Sequence, residues 1–250
     1  MTNHLTPAVR IQKARTALLL DHPFFGSLLF RLGGRVSGSI QTMATDGVSL
    51  FYNPEFVETL NTAELAGVLA HEVMHPALQH HTRRGDRDRK RWNMACDYAI
   101  NPLLLDAGLT LPKDVLIDHR FRGMSAERIY NLIDEQQGQD RSNSEEENQD
   151  DSSSDQEGGK QPGNPSADGE PTAPTTLGGF GQVLDAPEPE GDDGDTIAEQ
   201  AREWKIAVEQ AENVARLAGK LPAGVTRTRP SFATNSNCDS SHPKVDACVS

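Results

Sequence analysis

Apolar residues return every three or four positions in several parts of the chain, the spacing of amphipathic helices. In the first such stretch, Pro23 is expected to break or restart the helix, because proline lacks a backbone donor. The second is preceded by Asn61, and Glu64 stands three residues later, which is a capping-box start. The predicted helices cover residues 6–32, 62–82, 90–105, 125–134 and 196–218.

Between the first two helices the pattern changes to alternation. Apolar and polar residues alternate over 40–44 and again over 48–52. The dipeptide Asp46-Gly47 separates the two runs, and such a pair tolerates the positive φ angles of a tight turn. The pattern therefore predicts a β-hairpin over 38–52.

The chain then loses its apolar residues. Residues 136–176 are mainly Gln, Ser, Asn, Glu, Asp, Gly and Pro, too polar to offset their ordering entropy, so they are predicted to be disordered. An apolar patch at 177–184 interrupts the polar sequence and is predicted to dock on the folded body. The segment 138–195 is therefore interpreted as an acidic disordered linker with a docking patch.

The charge follows the same division. The 250 residues carry a net charge of −13, but residues 134–195 alone hold 18 acidic and two basic residues. The remainder is close to neutral. Two interpretations of the insert stay open. It is a solubilising linker, or it is an inhibitory flap that reaches the basic cluster Arg83–Arg91.

Composition excludes several classes of protein. The sequence contains no run of 18 apolar residues, so no membrane span is predicted, and the N-terminus lacks the pattern of a secretory signal. Three cysteines give no disulfide framework, so a cytoplasmic location is predicted. Without a basic excess, neither nucleic acid nor a membrane is an expected partner. The basic cluster, which contains two aspartates, is interpreted as a solvated loop.

Residues His71-Glu-Val-Met-His75 form an HExxH motif inside the second predicted helix. Histidines at i and i+4 share one helix face and can bind one metal ion. Glu72 is rotated about 100° from His71, which places its carboxylate beside the ion as a general base. A bound zinc lowers the pKa of a water ligand to about 7. The motif predicts a zinc-dependent peptidase. Pro76 is expected to kink the helix just after the site.

A catalytic zinc site needs a third protein ligand. Asn93, Asp97 and Asn101 form a polar stripe at four-residue spacing on the next helix, and Asp97 is the anionic member. We therefore predict Asp97 as the third ligand, the alternative being that the stripe is a wet face. The rivals are His80, His81 and Asp86; on a straight helix His80 and His81 would be surface residues. Cys96 is interpreted as core filler.

The sequence resembles bacterial predicted metal-dependent peptidases, which have an N-terminal metallopeptidase domain and a C-terminal von Willebrand factor A-like domain. The resemblance covers about 1–225. It implies metal and catalytic roles for His71, Glu72 and His75, and it matches Asp97 to a fixed position of the family pattern. The segments that carry it are Leu50–Phe56, His71–His75 with His80 and His81, Arg83–Arg87, Trp92–Pro102 and Gly123–Tyr130.

The expected fold class is α+β, a zincin-like half-domain in which a β-hairpin or small sheet packs on the HExxH helix. Residues 227–250 do not resemble the start of a von Willebrand-like domain, so that domain is interpreted as missing and the ending as truncated or out of frame. The predicted organisation is a metallopeptidase domain at 1–137, the linker at 138–195, an amphipathic helix at 196–220 and an unstructured tail at 221–250.

The expected partner is a peptide or protein substrate, and the resemblance adds an AAA-type ATPase. The alternative function is a catalytically silent metal-binding module that assembles with such an ATPase. Both functions use the same metal site and differ in whether Glu72 supports turnover.

Overall fold

A computed structural model describes residues 5–113, 115–135, 181–187 and 197–225 of the chain. The described part is α+β, with a small mixed sheet and a larger number of helices. The strands are β1 (Gly33–Val36), β2 (Met43–Thr45) and β3 (Ser49–Tyr52). The helices are α1 (Pro7–Asp21), α2 (Pro23–Leu29), α3 (Pro54–Thr59), α4 (Thr62–Ala77), α5 (His80–Arg83), α6 (Arg89–Asp106), α7 (residues 126–135) and α8 (Ile197–Leu217), with a 3-10 turn at His119–Phe121.

The first helical region divides at Pro23, as predicted. Thr6 caps α1 by accepting a hydrogen bond from Val9 N at 3.4 Å, and Pro23 opens α2 at the position where its missing N–H costs nothing. The helical structure ends at Leu29, before the predicted limit of residue 32. The last residues of that range lead into β1.

The sheet has the order β1-β3-β2, with β1 parallel and β2 antiparallel to β3. The predicted hairpin is confirmed as β2–β3, but it is shorter than predicted because its first strand begins at Met43. Thr45 pairs with Leu50, and the three residues Asp46, Gly47 and Val48 connect the two strands. Within this loop only Gly47 has a positive φ, of 88°, while Asp46 Oδ1 accepts hydrogen bonds from the backbone N–H groups of Val48 and Ser49.

Helix α4 carries the HExxH motif and begins with the predicted capping box of Asn61 and Glu64. The prediction that it continues to residue 82 is wrong. Pro76 lies in its last turn, and Gln79 adopts a left-handed conformation with φ 58°, which ends the helix and turns the chain into α5. The change of direction brings the next two histidines back toward the body.

The main core is built from α1, α2, α4 and α8. Helix α8 presents an apolar stripe with small side chains, which lets it lie close to α2 and α4. Its Trp204 is buried, and the indole N–H donates to the carbonyl of Gly47 at 2.9 Å, which connects α8 to the hairpin loop. No helix in the described ranges is long and apolar enough to cross a bilayer.

Candidate metal centre

His71 and His75 on α4 meet Asp97 on α6 in the interior of the domain. The two histidine Nε2 atoms are 3.1 Å apart, and Asp97 Oδ1 lies 3.3 Å from Nε2 of His71 and 3.7 Å from Nε2 of His75. All three side chains are at most 1% exposed. The helix repeat stacks the histidines, and the packing of α6 against α4 supplies the carboxylate.

The spacing of these atoms fits a metal ion. Ligands at zinc distances of about 2.0–2.1 Å in a tetrahedral arrangement lie roughly 3.3–3.4 Å from one another. The three observed separations, 3.1, 3.3 and 3.7 Å, bracket that value. Two imidazole nitrogens and a carboxylate oxygen are therefore placed so that they could hold one cation.

The second ring nitrogen of His71 is held by Asn101, one turn after Asp97. Asn101 Oδ1 lies 2.9 Å from His71 Nδ1, and its Nδ2 donates to the carbonyl of Leu116 at 3.0 Å. Since only the amide nitrogen can donate to that carbonyl, the oxygen faces the imidazole and accepts from its Nδ1–H. This leaves the lone pair on Nε2, the atom directed at Asp97.

His75 is supported by a residue that sequence reasoning had placed on the surface. His80 Nδ1 lies 3.3 Å from His75 Nδ1, and His80 and His81 are both only 2% exposed. The prediction that His80 and His81 are surface residues is wrong, because it assumed a straight helix through Gln79. Trp92 covers His80 and donates its indole N–H to the His80 carbonyl at 3.1 Å.

A second buried group shares His75. His75, His80 and Cys96 bring one ligand atom each to within 4.8 Å of one another. Burial raises the pKa of the Cys96 thiol well above its usual range, and the thiolate is the form that binds metals. Cys96 packs with Trp92 and Ala126, in agreement with the core role expected of it.

Glu72 is fully buried beside the two histidines. Neither carboxylate oxygen has a hydrogen-bond partner among the described residues. Burial raises the pKa of Glu72 to about 8, an increase that the neighbouring His71 partly opposes. A buried carboxyl group without a hydrogen-bond partner is costly, because burial removes it from water and no bond compensates for that loss.

The two histidines differ in protonation. Burial, followed by the nearby His71, holds the pKa of His75 well below its usual range, so its imidazole is neutral, the form that binds a metal. Burial opposes protonation of His71 as well, but Asp97 outweighs it and raises the pKa of His71. A metal ion therefore competes with a proton for His71, which makes metal affinity pH-dependent.

The polar stripe of α6 is divided among three tasks. Asp97 faces the histidines and Asn101 orients His71, while Asn93 binds the backbone of the segment 181–187. The wet-face alternative is wrong, since Asp97 and Asn101 are buried. The rival ligand Asp86 is exposed and lies outside the buried groups.

The basic cluster Arg83–Arg91 lies beside the site, and most of its arginines have carboxylate partners. Arg84 binds Asp185 through Nε at 2.6 Å and Nη2 at 2.9 Å, and Arg89 reaches the same carboxylate at 2.9 Å. Two further pairs join Arg83 to Glu127 and Arg91 to Asp134. Asp185 directly follows the predicted docking patch at 177–184; residues 177–180 of that patch and the segment 136–176 that is predicted to be disordered lie outside the described residues.

Comparisons with known proteins agree with this geometry. A protein of Thermotoga maritima, named only as an uncharacterized protein, is 41% identical over 117 residues, which are 43% of this chain and 29% of that protein. The chain thus matches less than a third of the length of that relative, and no solved structure matches it. The sequence profile of a family described as a putative metallopeptidase domain matches residues 6–234. Because this match spans most of its length, the chain belongs to that family.

Proposed function

We propose that this protein is a zinc-dependent peptidase in which His71, His75 and Asp97 hold the metal and Glu72 is the general base. The observation that carries the proposal is the state of Glu72. Within the described part of the chain, its carboxylate is buried without a hydrogen-bond partner, beside two imidazoles and a carboxylate that are spaced as metal ligands. A purely structural cluster would gain stability by replacing that group with an apolar one.

The residues of the chain divide the chemistry among them. A zinc ion, when bound, supplies Lewis acidity that polarises the scissile carbonyl and makes water nucleophilic near neutral pH. Glu72 accepts a proton from the attacking water and delivers it to the nitrogen of the leaving amine. Burial raises the pKa of Glu72 to about 8 in the metal-free site, and a bound cation would lower that pKa, which would leave a carboxylate able to accept a proton at neutral pH. Asn101 keeps the His71 lone pair directed inward.

Peptide hydrolysis by the metal-loaded chain tests the proposal. Metal content is measured first by elemental analysis, and cleavage of a broad peptide library is then followed by mass spectrometry. We expect Glu72→Gln to keep the metal and lose roughly 10²–10⁴-fold in kcat, the usual contribution of a general base. The matched control is Glu127→Gln, which changes a carboxylate paired with Arg83 outside the site.

The same experiment judges the alternative, a metal-binding assembly module without turnover. One equivalent of metal with no cleavage across the library would contradict the peptidase and favour the module. Contact with an AAA-type ATPase and a cytoplasmic location rest on sequence and resemblance, and they stay predictions.

A further inference from the structure

Residues 181–187 run along the edge of β2 that β3 leaves free. The carbonyl of Gln182 accepts from Thr45 N at 3.0 Å, and Leu184 N donates to the carbonyl of Thr45 at 2.8 Å. Thr45 and Val183 form a parallel bridge. The segment is thus held in the way that an extended peptide adds to the edge of a sheet.

The other side of the segment is held by α6, and its first residue lies over the site. Asn93 Oδ1 accepts from Val183 N at 2.8 Å, and Asn93 Nδ2 donates to the carbonyl of Gly181 at 3.3 Å. A Cβ atom at Gly181 would overlap Glu72 Oε1 and lie 3.0 Å from Nε2 of His71. With φ 96° and no room for a side chain, this position requires glycine.

Two side chains fix the register of the segment beyond Gly181. Val183 is 6% exposed and occupies an apolar pocket formed by Trp92, Cys96 and Ala126. Two residues later, Asp185 reaches the basic cluster and binds both Arg84 and Arg89. The groove therefore accepts a glycine, an aliphatic residue two positions later and an acidic residue two positions after that.

The segment lies where a peptide substrate has to lie if Glu72 is to act on it. The segment uses the main-chain N–H and carbonyl of Thr45 and the side-chain amide of Asn93, and Gly181 closes the approach to the carboxylate of Glu72. A peptide can reach Glu72 along this groove only after the segment leaves.

We propose that residues 181–187 are an intramolecular plug in the substrate groove, and that the groove takes in its place an extended polypeptide with a Gly-x-aliphatic-x-acidic pattern. The inference rests on the proposed peptidase function and names its substrate class and its regulation. The pairs of Asp185 with Arg84 and Arg89 are the latch that keeps the plug in place.

The test uses the full chain and a labelled peptide, Gly-Gln-Val-Leu-Asp-Ala-Pro, which repeats the plug. Its matched control carries Val at the first position. Binding is measured by fluorescence anisotropy, and the rate of zinc loss to excess chelator reports how well the site is covered. The latch variants are Asp185→Asn and, should that variant fold poorly, Asp185→Ser; both change the plug and leave Arg84 and Arg89 free to bind the acidic residue of the peptide. Asp118→Asn, which changes a carboxylate paired with the exposed Arg120, is the control variant.

We expect the latch variants to bind the peptide roughly tenfold more tightly than the wild type, since each removes charged hydrogen bonds that hold the competing plug. They should also release zinc faster and cleave accepted peptides faster, while the Val peptide fails to bind. Equal zinc release in all proteins, with no peptide binding to any of them, would overturn the plug and make the segment a permanent strand.

The two proposals fail differently. Peptide binding and zinc release require no hydrolysis, so both can test the plug even in a protein that cleaves nothing. An absence of cleavage by every variant therefore contradicts only the peptidase proposal. Cleavage at equal rates by the wild type and by the latch variants would overturn the plug and leave the peptidase in place.

Discussion

The molecule gathers charged and titratable side chains in two neighbouring regions, and it treats them in opposite ways. In the buried centre, the carboxylate of Glu72 has no partner among the described residues and Asp97 is 1% exposed. In the basic cluster the arginines are partly or largely exposed, and four of them pair with carboxylates. The arginines of the cluster are paired with carboxylates from other parts of the chain, whereas the carboxylate of Glu72 has no such partner among the described residues. The contrast supports the proposal that the buried centre is the functional one.

The largest expected difference between the two regions is in the pH dependence of stability without metal. Burial raises the pKa of Glu72 to about 8, whereas glutamate in the unfolded chain titrates near about 4.3. Between these values the folded chain holds a proton that the unfolded chain has released, so stability falls as pH rises. At about 1.36 kcal/mol per pH unit, the contribution of Glu72 reaches about 5 kcal/mol by pH 8.

Urea unfolding of the chelator-treated protein at pH 5, 6, 7 and 8 measures this effect. Glu72→Met, which keeps the length of the side chain without the carboxyl, is expected to be the more stable protein at pH 8 and to differ least at pH 5. If the free energies of unfolding of the wild type and of Glu72→Met differ by the same amount at every pH, the prediction that the Glu72 carboxyl group destabilises the fold as pH rises is wrong.

A smaller effect is expected from the residue that orients His71. Asn101→Ala removes the acceptor at 2.9 Å from His71 Nδ1, so the ring loses the bond that sets its tautomer. Loss of such an outer partner lowers metal affinity by about 10–100-fold. Competition with a chromophoric chelator measures the change. An affinity equal to that of the wild type would mean that Asn101 only fills space.

The smallest effect is expected in the basic cluster. Burial tends to raise the pKa of Glu127, but its bonds with Arg83 outweigh burial and lower it, the opposite direction from Glu72. The pair therefore contributes stability above the ordinary glutamate pKa and loses it as pH falls through the lowered folded value. Because both side chains are partly exposed, Glu127→Gln should cost at most about 1 kcal/mol at pH 7 and leave metal affinity unchanged. Thermal unfolding and the chelator assay check both statements.

The helices and the hairpin could be predicted because their signals are local. Pro23 opens α2, Asn61 and Glu64 cap α4, and Gly47 sits in the loop between β2 and β3. Strand β1 could not be predicted, since Gly33-Gly-Arg-Val36 is exposed at all four positions and has no alternation. It pairs with β3 through the backbone, and backbone pairing leaves no pattern in the side chains.

The candidate site, like the fold, could be predicted only where its signals are local in the sequence. Spacing along one helix indicates His71, Glu72 and His75, and a polar stripe points to Asp97. The roles of His80 and Gly181 depend on contacts that no spacing encodes. His80 reaches His75 because the left-handed Gln79 reverses the chain, and Gly181 reaches Glu72 from more than a hundred residues away.

The central claim is that His71, His75 and Asp97 bind one metal ion. The most direct test is metal content per chain, by elemental analysis after dialysis against limiting zinc, for the wild type, Asp97→Ala and Asp106→Ala. Asp106 lies on the same helix and pairs with Arg122 at the surface, so it controls for loss of an aspartate from α6. We predict one equivalent in the wild type and in Asp106→Ala, and well under one in Asp97→Ala. An Asp97→Ala protein that retains a full equivalent with unchanged affinity would contradict the claim.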